Sequence, residues 1–393
     1  MSSSNLVRLA FIEEVTYGDT PGAGNFDTAR FISEALSGTP ETVESAQIRT
    51  DRQSSGQVSV GLTVGGAINF ELAKESELEE FMESAMLDTF LPSALQSAVD
   101  LTIDATAKTI TNNTGAFVGL ETGKFVRLTG FTNTTNNTEV FIADLTSANV
   151  VRYVGPSDMV DEVGTNDSYQ VMDELTIGTT KKSFSIEKSF LDLTDKAIIY
   201  KGMMANTMSF SIAYGELING SFEFVGNYQQ DVDAAVDFIT DGRTVNAPAT
   251  TQTLNGSIDM PYLATDATGS LDGITFCIQS LELSLNNNQQ PLNCIGEEAA
   301  VDYDPGTAQI EISMSAYLSN ENWSLLAKKK TQEAFALSFQ VKNFDGSYAF
   351  YLPAIQVSFD DPSSGGANQI ISMEMSGTAK VGSSGESALS IFK

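Results

Sequence analysis

The chain has 393 residues, and its 51 Asp and Glu against 21 Lys and Arg give a net charge of −30 at pH 7. This excess of carboxylates excludes nucleic-acid recognition through a basic groove, which needs clustered cations to displace counterions from phosphates. The absence of histidine excludes Ser-His-Asp and Cys-His catalysis and most zinc or iron sites. Hydrophobic residues make up 41% of a chain otherwise rich in Ser, Thr, Asn and Gly, a composition that favours strands and turns.

The first strong pattern predicts a long strand over residues 58–72. Apolar residues alternate with polar ones from Val58 to Leu72, which indicates an extended strand with one buried face. Fifteen residues at about 3.3 Å each span roughly 50 Å, more than a compact domain requires, so we expect a long projecting hairpin. Gly65 and Gly66 predict a bend or bulge within the strand.

The next segment, about residues 75–87, predicts one α-helix that flanks the sheets. Leu78, Phe81, Met82 and Ala85 recur at helical spacing between acidic residues. We expect this apolar stripe to pack against a sheet rather than to bind a ligand.

Residues 92–175 differ in composition from the rest of the chain. They are rich in Thr, Asn and Asp, and the short β patterns FVRLTGF and EVFIADL flank an Asn-rich turn. Strand patterns of the earlier type resume after this stretch. We therefore expect a small β domain at 92–175, inserted into a core made of residues 1–91 and 176–393.

The remaining sequence is a series of strand patterns. The apolar parity switches between Ile278 and Leu281 and again around Pro353, which predicts bulges or corners where strands pass between sheets. Asp345 and Gly346 suit a hairpin turn. The expected fold class is mainly β: a β-sandwich or strongly bent barrel of two packed antiparallel sheets, with the flanking helix, the projecting hairpin and the inserted domain.

Acidic residues are the natural place to look for chemistry in this chain. Adjacent carboxylates occur at Glu13 and Glu14, at Glu297 and Glu298, and at Asp360 and Asp361. Because neighbouring residues of a strand point to opposite faces, we interpret each pair as solvated charge rather than as a hydrolase site. We expect neither enzymatic activity nor a cofactor.

Two segments are candidates for a calcium site. Residues 231–243 begin like an EF-hand loop but have Ala235 where the third ligand belongs. Asp302, Asp304 and Glu311 form a looser set that could hold calcium at a subunit contact.

The cysteine content and the hydropathy of the chain indicate the cellular compartment in which it folds. Cys277 and Cys294 are too few for a disulfide framework, which favours folding in a reducing compartment. The N-terminus lacks the pattern of a secretion signal, and no window approaches the roughly 18 apolar residues that span a bilayer. We expect a soluble protein without membrane insertion.

Several segments, in order, carry a family resemblance. LAFIEEVTYGDTPGAG, RFISEALS and ESAQIRTDRQ lead into VGGAINFEL, and FVRLTGFTNTTNNTEVFIADL, SFSIEKSFLDL, YKGMMANTMSFSI, IQSLELSLNNNQQPLNCIG and SYAFYLPAIQVSFDD follow. This series resembles the major tail tube proteins of long-tailed, non-contractile bacteriophages and covers most of the chain. FVRLTGFTNTTNNTEVFIADL resembles the inserted domain of that group, which we expect on the outer surface because it would obstruct a channel.

The resemblance implies a structural virion protein assembled in the bacterial host cytoplasm. Its subunits would form hexameric rings that stack into a hollow tube, with neighbouring sheets joined into one inner barrel. A tape measure protein would occupy the lumen during assembly, double-stranded DNA would pass without adhering, and tail terminator and distal tail or baseplate proteins would bind the ends.

Residues 48–53, IRTDRQ, carry two of the seven arginines of the chain. Guanidinium groups pair bidentately with carboxylates, so Arg49 and Arg52, which flank Asp51, are candidates for pairing with acidic residues of a neighbouring subunit. Pairing within the subunit, with Asp51 or Glu44, is the alternative.

A different class of function also fits the composition. A host-surface or glycan-binding β-sandwich adhesin would use the inserted domain as its binding module. Such an adhesin would not require the long strand, and microscopy that finds tubes or six-fold rings separates the two hypotheses.

Overall fold

The computed structural model describes residues 3–48, 50, 51, 53, 56–256, 258–264, 277–320, 323, 333–359, 361, 362 and 370–393. The described strands that precede the helix are β1 (Val7–Glu13), β2 (Asp27–Ala29), β3 (Ser33–Glu34), β4 (Ser37–Glu44) and β5 (Gln57–Glu71). The helix is α1 (Ser76–Met86). The strands that follow it are β6 (Gln96–Val99), β7 (Leu101–Asp104), β8 (Thr109–Asn112), β9 (Phe125–Thr129), β10 (Glu139–Ser147), β11 (Val150–Val154), β12 (Glu162–Val163) and β13 (Asp167–Val171).

The rest of the chain is again almost entirely strand. Its described strands are β14 (Glu174–Thr176), β15 (Phe184–Phe190), β16 (Ala197–Ala213), β17 (Asn219–Gly226), β18 (Tyr228–Val232), β19 (Asp259–Ala264), β20 (Ile278–Asn286), β21 (Gln290–Leu292), β22 (Asp302–Asp304), β23 (Gln309–Tyr317), β24 (Phe335–Lys342), β25 (Ser347–Phe359), β26 (Ser372–Lys380) and β27 (Ser390–Phe392). Short 3-10 turns lie at Ser4–Leu6, Thr134–Asn136 and Ala235–Asp237.

A long antiparallel sheet is the backbone of the fold. Its order is β4–β5–β17–β16–β20–β23–β26–β25, and β3 continues the β4 edge of β5. The N-terminal parts of β16 and β25 turn into a second layer, where β16 lies between β15 and β18, and β25 lies between β24 and β27. β2 and β1 extend the β15 edge, β19 extends the β24 edge, and β14 extends the β27 edge.

The two layers enclose one large apolar core, as expected for a sandwich of packed antiparallel sheets. The predicted helix is confirmed, and its stripe of Leu78, Phe81, Met82 and Ala85 is at most 2% exposed in that core. The Phe81 ring lies 4.6 Å from that of Phe11. Within the described part of the chain, no helix combines the length and the apolar character needed to cross a membrane.

The predicted long strand forms, but its buried face is shorter than expected. Ile68 and Phe70 are buried in the apolar core, whereas Val58 and Val60 are 62% and 58% exposed. The distal half of β5 pairs only with β4 among the described strands, and the exposure of its valines shows that no described layer covers this face. The prediction of a continuous buried face is therefore wrong for the part of the hairpin that extends beyond the sandwich.

The irregularities of the strands are partly those expected. The register shifts between Ile278 and Ser280 in β20, and also around Pro353 in β25, as the parity switches predict. In β5 the register against β4 shifts near Ser59, and the register with β17 is continuous past Gly65 and Gly66. At Gly66 the backbone has a φ of +142°, and the facing edge is interrupted there between β3 and β4, as the glycines predict.

The strands between α1 and β14 form a sheet of their own, in the order β12–β7–β8–β11–β10–β9–β13–β6. Phe125 and Phe141 of this sheet pack on Tyr351 and Phe392 of the large sheet, in a cluster of buried residues. Leu91 and Glu174 form a bridge where the chain leaves the core and returns to it.

Candidate functional site

A concave face of the long sheet forms a broad surface in the described part of the chain. Alternation along each strand buries the apolar side chains and leaves small polar ones on the other side. This polar face encloses about 860 Å³. We define it by twelve side chains: Asn69, Ser209, Ser211, Asn219, Glu282, Ser284, Glu311, Ser313, Gln356, Ser358, Ser376 and Thr378.

The polar face carries carboxylates and no cation among these side chains. Glu282 accepts from the Ser313 hydroxyl at 3.5 Å, and Glu374, next to the face, accepts from the Ser315 hydroxyl at 2.8 Å. Sequence reasoning missed this surface, although its signal was present in the alternation of Ser and Glu with aliphatic residues in β20, β23 and β26.

The hairpin of β4 and β5 is the second exposed feature. Its outer part presents Val43, Val58 and Val60, each more than half exposed. Hydrogen bonds from Thr63 to Glu41, at 2.6 Å, and from Thr42 to Gln57, at 3.2 Å, tie its strands together. A patch of exposed apolar side chains on a hairpin is typical of a protein interaction surface.

Of the three sequence-predicted interface residues, the structure describes Asp51, in the turn of this hairpin. Asp51 accepts a hydrogen bond from the Gln53 amide at 3.3 Å. Arg49 and Arg52 lie outside the described residues, so their predicted contacts stay a prediction.

Many cations of the described chain pair with carboxylates of the same chain. The pairs include Arg8–Glu187, Arg30–Glu75, Lys74–Glu79, Lys393–Glu79, Lys182–Glu83, Lys188–Glu34, Lys124–Glu174 and Arg127–Glu139. Several of these carboxylates are nearly buried, where an unpaired charge is expensive. These cations therefore neutralise carboxylates within the chain itself.

One of the adjacent acidic pairs does not follow the prediction of solvated charge. Glu14 is buried and accepts from the hydroxyls of Ser183 and Ser185, each at 2.7 Å. It also accepts from the amides of Gly18 and Gly202, at 2.7 and 2.9 Å. The prediction was wrong here because the charge sits inside a cage of donors that replaces water.

A second group of carboxylates, buried or half-buried, lies around the start of helix α1. Burial raises the pKa of Glu75 to about 7, against the opposing effect of Arg30. Burial, together with the charges of Asp27 and Glu13, raises the pKa of Glu80 to about 7.

Glu79 behaves differently from its neighbours on the helix. Burial opposes its ionisation, but Lys74 and Lys393, at 2.8 and 2.6 Å, lower the pKa of the carboxyl overall. These ion pairs connect the start of the helix with the last residue of the chain.

The two calcium candidates are not supported by the geometry. Lys181 lies 2.9 Å from Asp302 and 3.8 Å from Asp304, so an ammonium group occupies the place between these carboxylates. Among the described residues, no group of three Asp, Glu, Cys or His side chains is arranged to hold a metal ion.

Comparison with known proteins identifies the family. No curated protein matches the sequence. The family model described as phage tail tube protein matches residues 4–380, which include the sandwich, the hairpin and the inserted strands. The chain therefore belongs to the phage tail tube protein family.

Proposed function

We propose that copies of this chain form stacked rings, for which the resemblance implies a hexamer, and that the polar face lines the channel. Family membership makes the chain a structural virion component. The observation that carries the channel assignment is the polar face, a broad concave surface of hydroxyl, amide and carboxylate groups.

The chemistry of this face suits a conduit for double-stranded DNA. A phosphate backbone adheres where cations displace its counterions. Serine and threonine hydroxyls offer hydration without charge, and Glu282 and Glu311 repel phosphates. DNA would therefore slide along the face during delivery, and a tape measure protein would occupy the same channel during assembly.

The hairpin of β4 and β5 is the proposed contact between copies. Its exposed valines would be buried there, and Arg49, Asp51 and Arg52 in its turn would pair with a neighbour. Tubes that form normally from an R49E/R52E variant would rule out the arginine contact and favour pairing within the chain. Tail terminator and distal tail or baseplate proteins would bind the two ends, with assembly in the host cytoplasm.

The inserted domain is proposed to lie outside the tube. Single cysteines test this and the channel together, in a background where Cys277 and Cys294 are serine. We expect biotin-maleimide attached at Val163→Cys, on the inserted sheet, to bind streptavidin on intact tubes. Biotin attached at Ser313→Cys, on the polar face, should bind streptavidin only after the tubes are dissociated.

Equal capture of both variants on intact tubes would contradict the channel assignment. Capture of the Ser313→Cys tubes alone would place the inserted domain inside. Unassembled chains serve as the control, since both positions are accessible there.

A further inference from the structure

One pattern of six strand pairings occurs twice in the large sheet. The first unit pairs β1–β15, β4–β5, β5–β17, β15–β16, β16–β17 and β16–β18. The second unit pairs β19–β24, β20–β23, β23–β26, β24–β25, β25–β26 and β25–β27. The strands follow the same order along the chain in both units, so each pairing has a counterpart.

The two units also share an irregularity. The register of β15 and β16 shifts between Phe184 and Ile186, and that of β24 and β25 shifts between Phe335 and Leu337. In both cases the extra residue lies on the longer strand, where it turns from the second layer into the long sheet. A matching bulge at a matching corner fixes the alignment of the units and indicates an internal duplication.

The two units join where β16 of the first pairs with β20 of the second. β20 pairs with β16 over seven residues, from Thr207 opposite Asn286 to Ala213 opposite Ser280. The chain beyond β20 then docks on the first unit. The Asn287 side chain donates to the Ala85 carbonyl at 2.7 Å, and the Tyr303 hydroxyl donates to the Gly226 carbonyl at 3.2 Å.

Among the described strands, β25 and β4, at the two outer edges of the long sheet, lack such a neighbour. β25 from Gln356 to Phe359 pairs with β26, and no other described strand lies on its opposite edge. The hairpin of β4 and β5, the counterpart of β20 and β23, is exposed over its outer part. Strand directions alternate throughout the long sheet, so β4 of another copy would meet β25 in the antiparallel sense, as β20 meets β16.

We propose that β4 of one copy adds to the free edge of β25 in a second copy, in the way that β20 adds to β16 within the chain. Each chain then supplies two sheet units, and a ring of six units contains three chains. This inference rests on the proposed ring assembly and replaces the six chains of the hexamer that the resemblance implies with three.

The duplication also predicts the register of the new junction. The register of β16 and β17 shifts once more, between Ala205 and Thr207, whereas β25 and β26 pair without a shift. Beyond that extra residue, Thr207 lies opposite Glu223 in the first unit, and Ser358 lies opposite Ser376 at the equivalent place in the second. The partner of Thr207 across the existing junction is Asn286. Its counterpart on the β4 hairpin is Thr39, so Thr39 of one copy should lie opposite Ser358 of the next.

A disulfide between these positions tests the proposal in assembled tubes. Directly opposed residues of antiparallel strands are about 4.5–5.5 Å apart at Cα, within reach of a disulfide. We expect a T39C/S358C variant, with Cys277 and Cys294 replaced by serine, to give a denaturing-gel ladder that ends at three chains. S358C alone should give no ladder, and T207C/N286C should form its bond within one chain.

The outcomes separate the proposal from the function on which it rests. A ladder that ends at six chains, or tubes without disulfides between copies, would overturn the inference while leaving a tube-forming protein. If the variant does not assemble, native mass spectrometry of wild-type rings decides the question. A ring of three times the 42.1 kDa chain mass supports the proposal, and a ring of six times that mass refutes it.

Discussion

Glu14 shows how a single buried residue binds the backbone at a corner of this fold, where a strand passes from one layer to the other. Its carboxylate binds the Gly202 amide, at the bulge where β16 turns between the layers, and two serine hydroxyls of the β15 segment. Replacement of Glu14 by alanine would leave these donors unsatisfied in a buried site. We expect a loss of about 2–4 kcal/mol in the free energy of unfolding, measured by urea denaturation.

The neighbouring Glu13 provides the control for this substitution. It is exposed, so Glu13→Ala should change the free energy of unfolding by less than about 0.5 kcal/mol. Equal effects of the two substitutions would show that the donor cage does not stabilise the corner.

Glu75 and Glu80 make stability depend on pH in an unusual direction. Their pKa is about 7 in the fold and 4.5 for the ordinary side chain. Between these values the folded chain holds protons that the unfolded chain has lost, so stability is greatest at low pH and falls as pH rises towards 7. We expect the free energy of unfolding of unassembled chains to fall by about 3–5 kcal/mol from pH 5 to pH 8 through these two groups.

The E75Q/E80Q variant isolates this contribution. Its urea unfolding should depend less steeply on pH over the same range than that of the wild type. Parallel curves for the two proteins would show that other groups set the pH dependence.

At the scale of elements, the hairpin of β4 and β5 should control assembly without affecting the fold. Val58 and Val60 are more than half exposed in the single chain. We expect the V58D/V60D variant to remain unassembled in sedimentation and negative-stain microscopy, because charges would be desolvated at the contact. Its thermal unfolding midpoint should match that of unassembled wild-type chains.

An equally exposed valine elsewhere provides the comparison. Val163, 73% exposed on the inserted sheet, should tolerate aspartate with tubes still forming. Normal tubes from V58D/V60D would show that the valines make no contact between copies.

The elements were more predictable from sequence than their surroundings. The periods of 3.6 and 2 predict helix α1, strand β5 and the bulge near Pro353, since these features are local. The exposure of Val58 was not predictable, because alternation shows which side chains share a face and not what covers it. The donor cage of Glu14 depends on residues more than 160 positions away, which no local pattern reveals.

At the scale of the molecule, the polar face should lose its non-adhesive character if it gains cations. Ser313 and Ser376 lie opposite each other in the sheet. We expect tubes of the S313K/S376K variant to retain short duplex DNA in filter-binding assays, with an affinity that falls steeply with salt as counterions compete. Tubes of S313Q/S376Q, which add bulk without charge, should not retain it.

The assay needs tubes of normal length, verified by microscopy. Retention of DNA by the glutamine variant, or none by the lysine variant, would contradict the electrostatic account of the channel.

The duplication is the largest feature that the sequence did not predict. The alignment places Phe335 at the position of Phe184, but Glu311 at that of Gly65 and Thr378 at that of Val225. Backbone pairing tolerates such changes because its hydrogen bonds do not depend on side chains. The inserted strands further disguise the repeat by lengthening the first unit alone.

That one-sided insertion has a consequence for the proteins that bind the tube. Residues 318–334 connect β23 to β24, where the first unit carries the whole inserted sheet between β5 and β15. In a ring of three chains the channel wall would show six nearly equal faces, whereas the outside would show three protruding domains. A ligand that grips the exterior would thus meet three-fold symmetry, and a plug that seals the bore would meet six-fold symmetry.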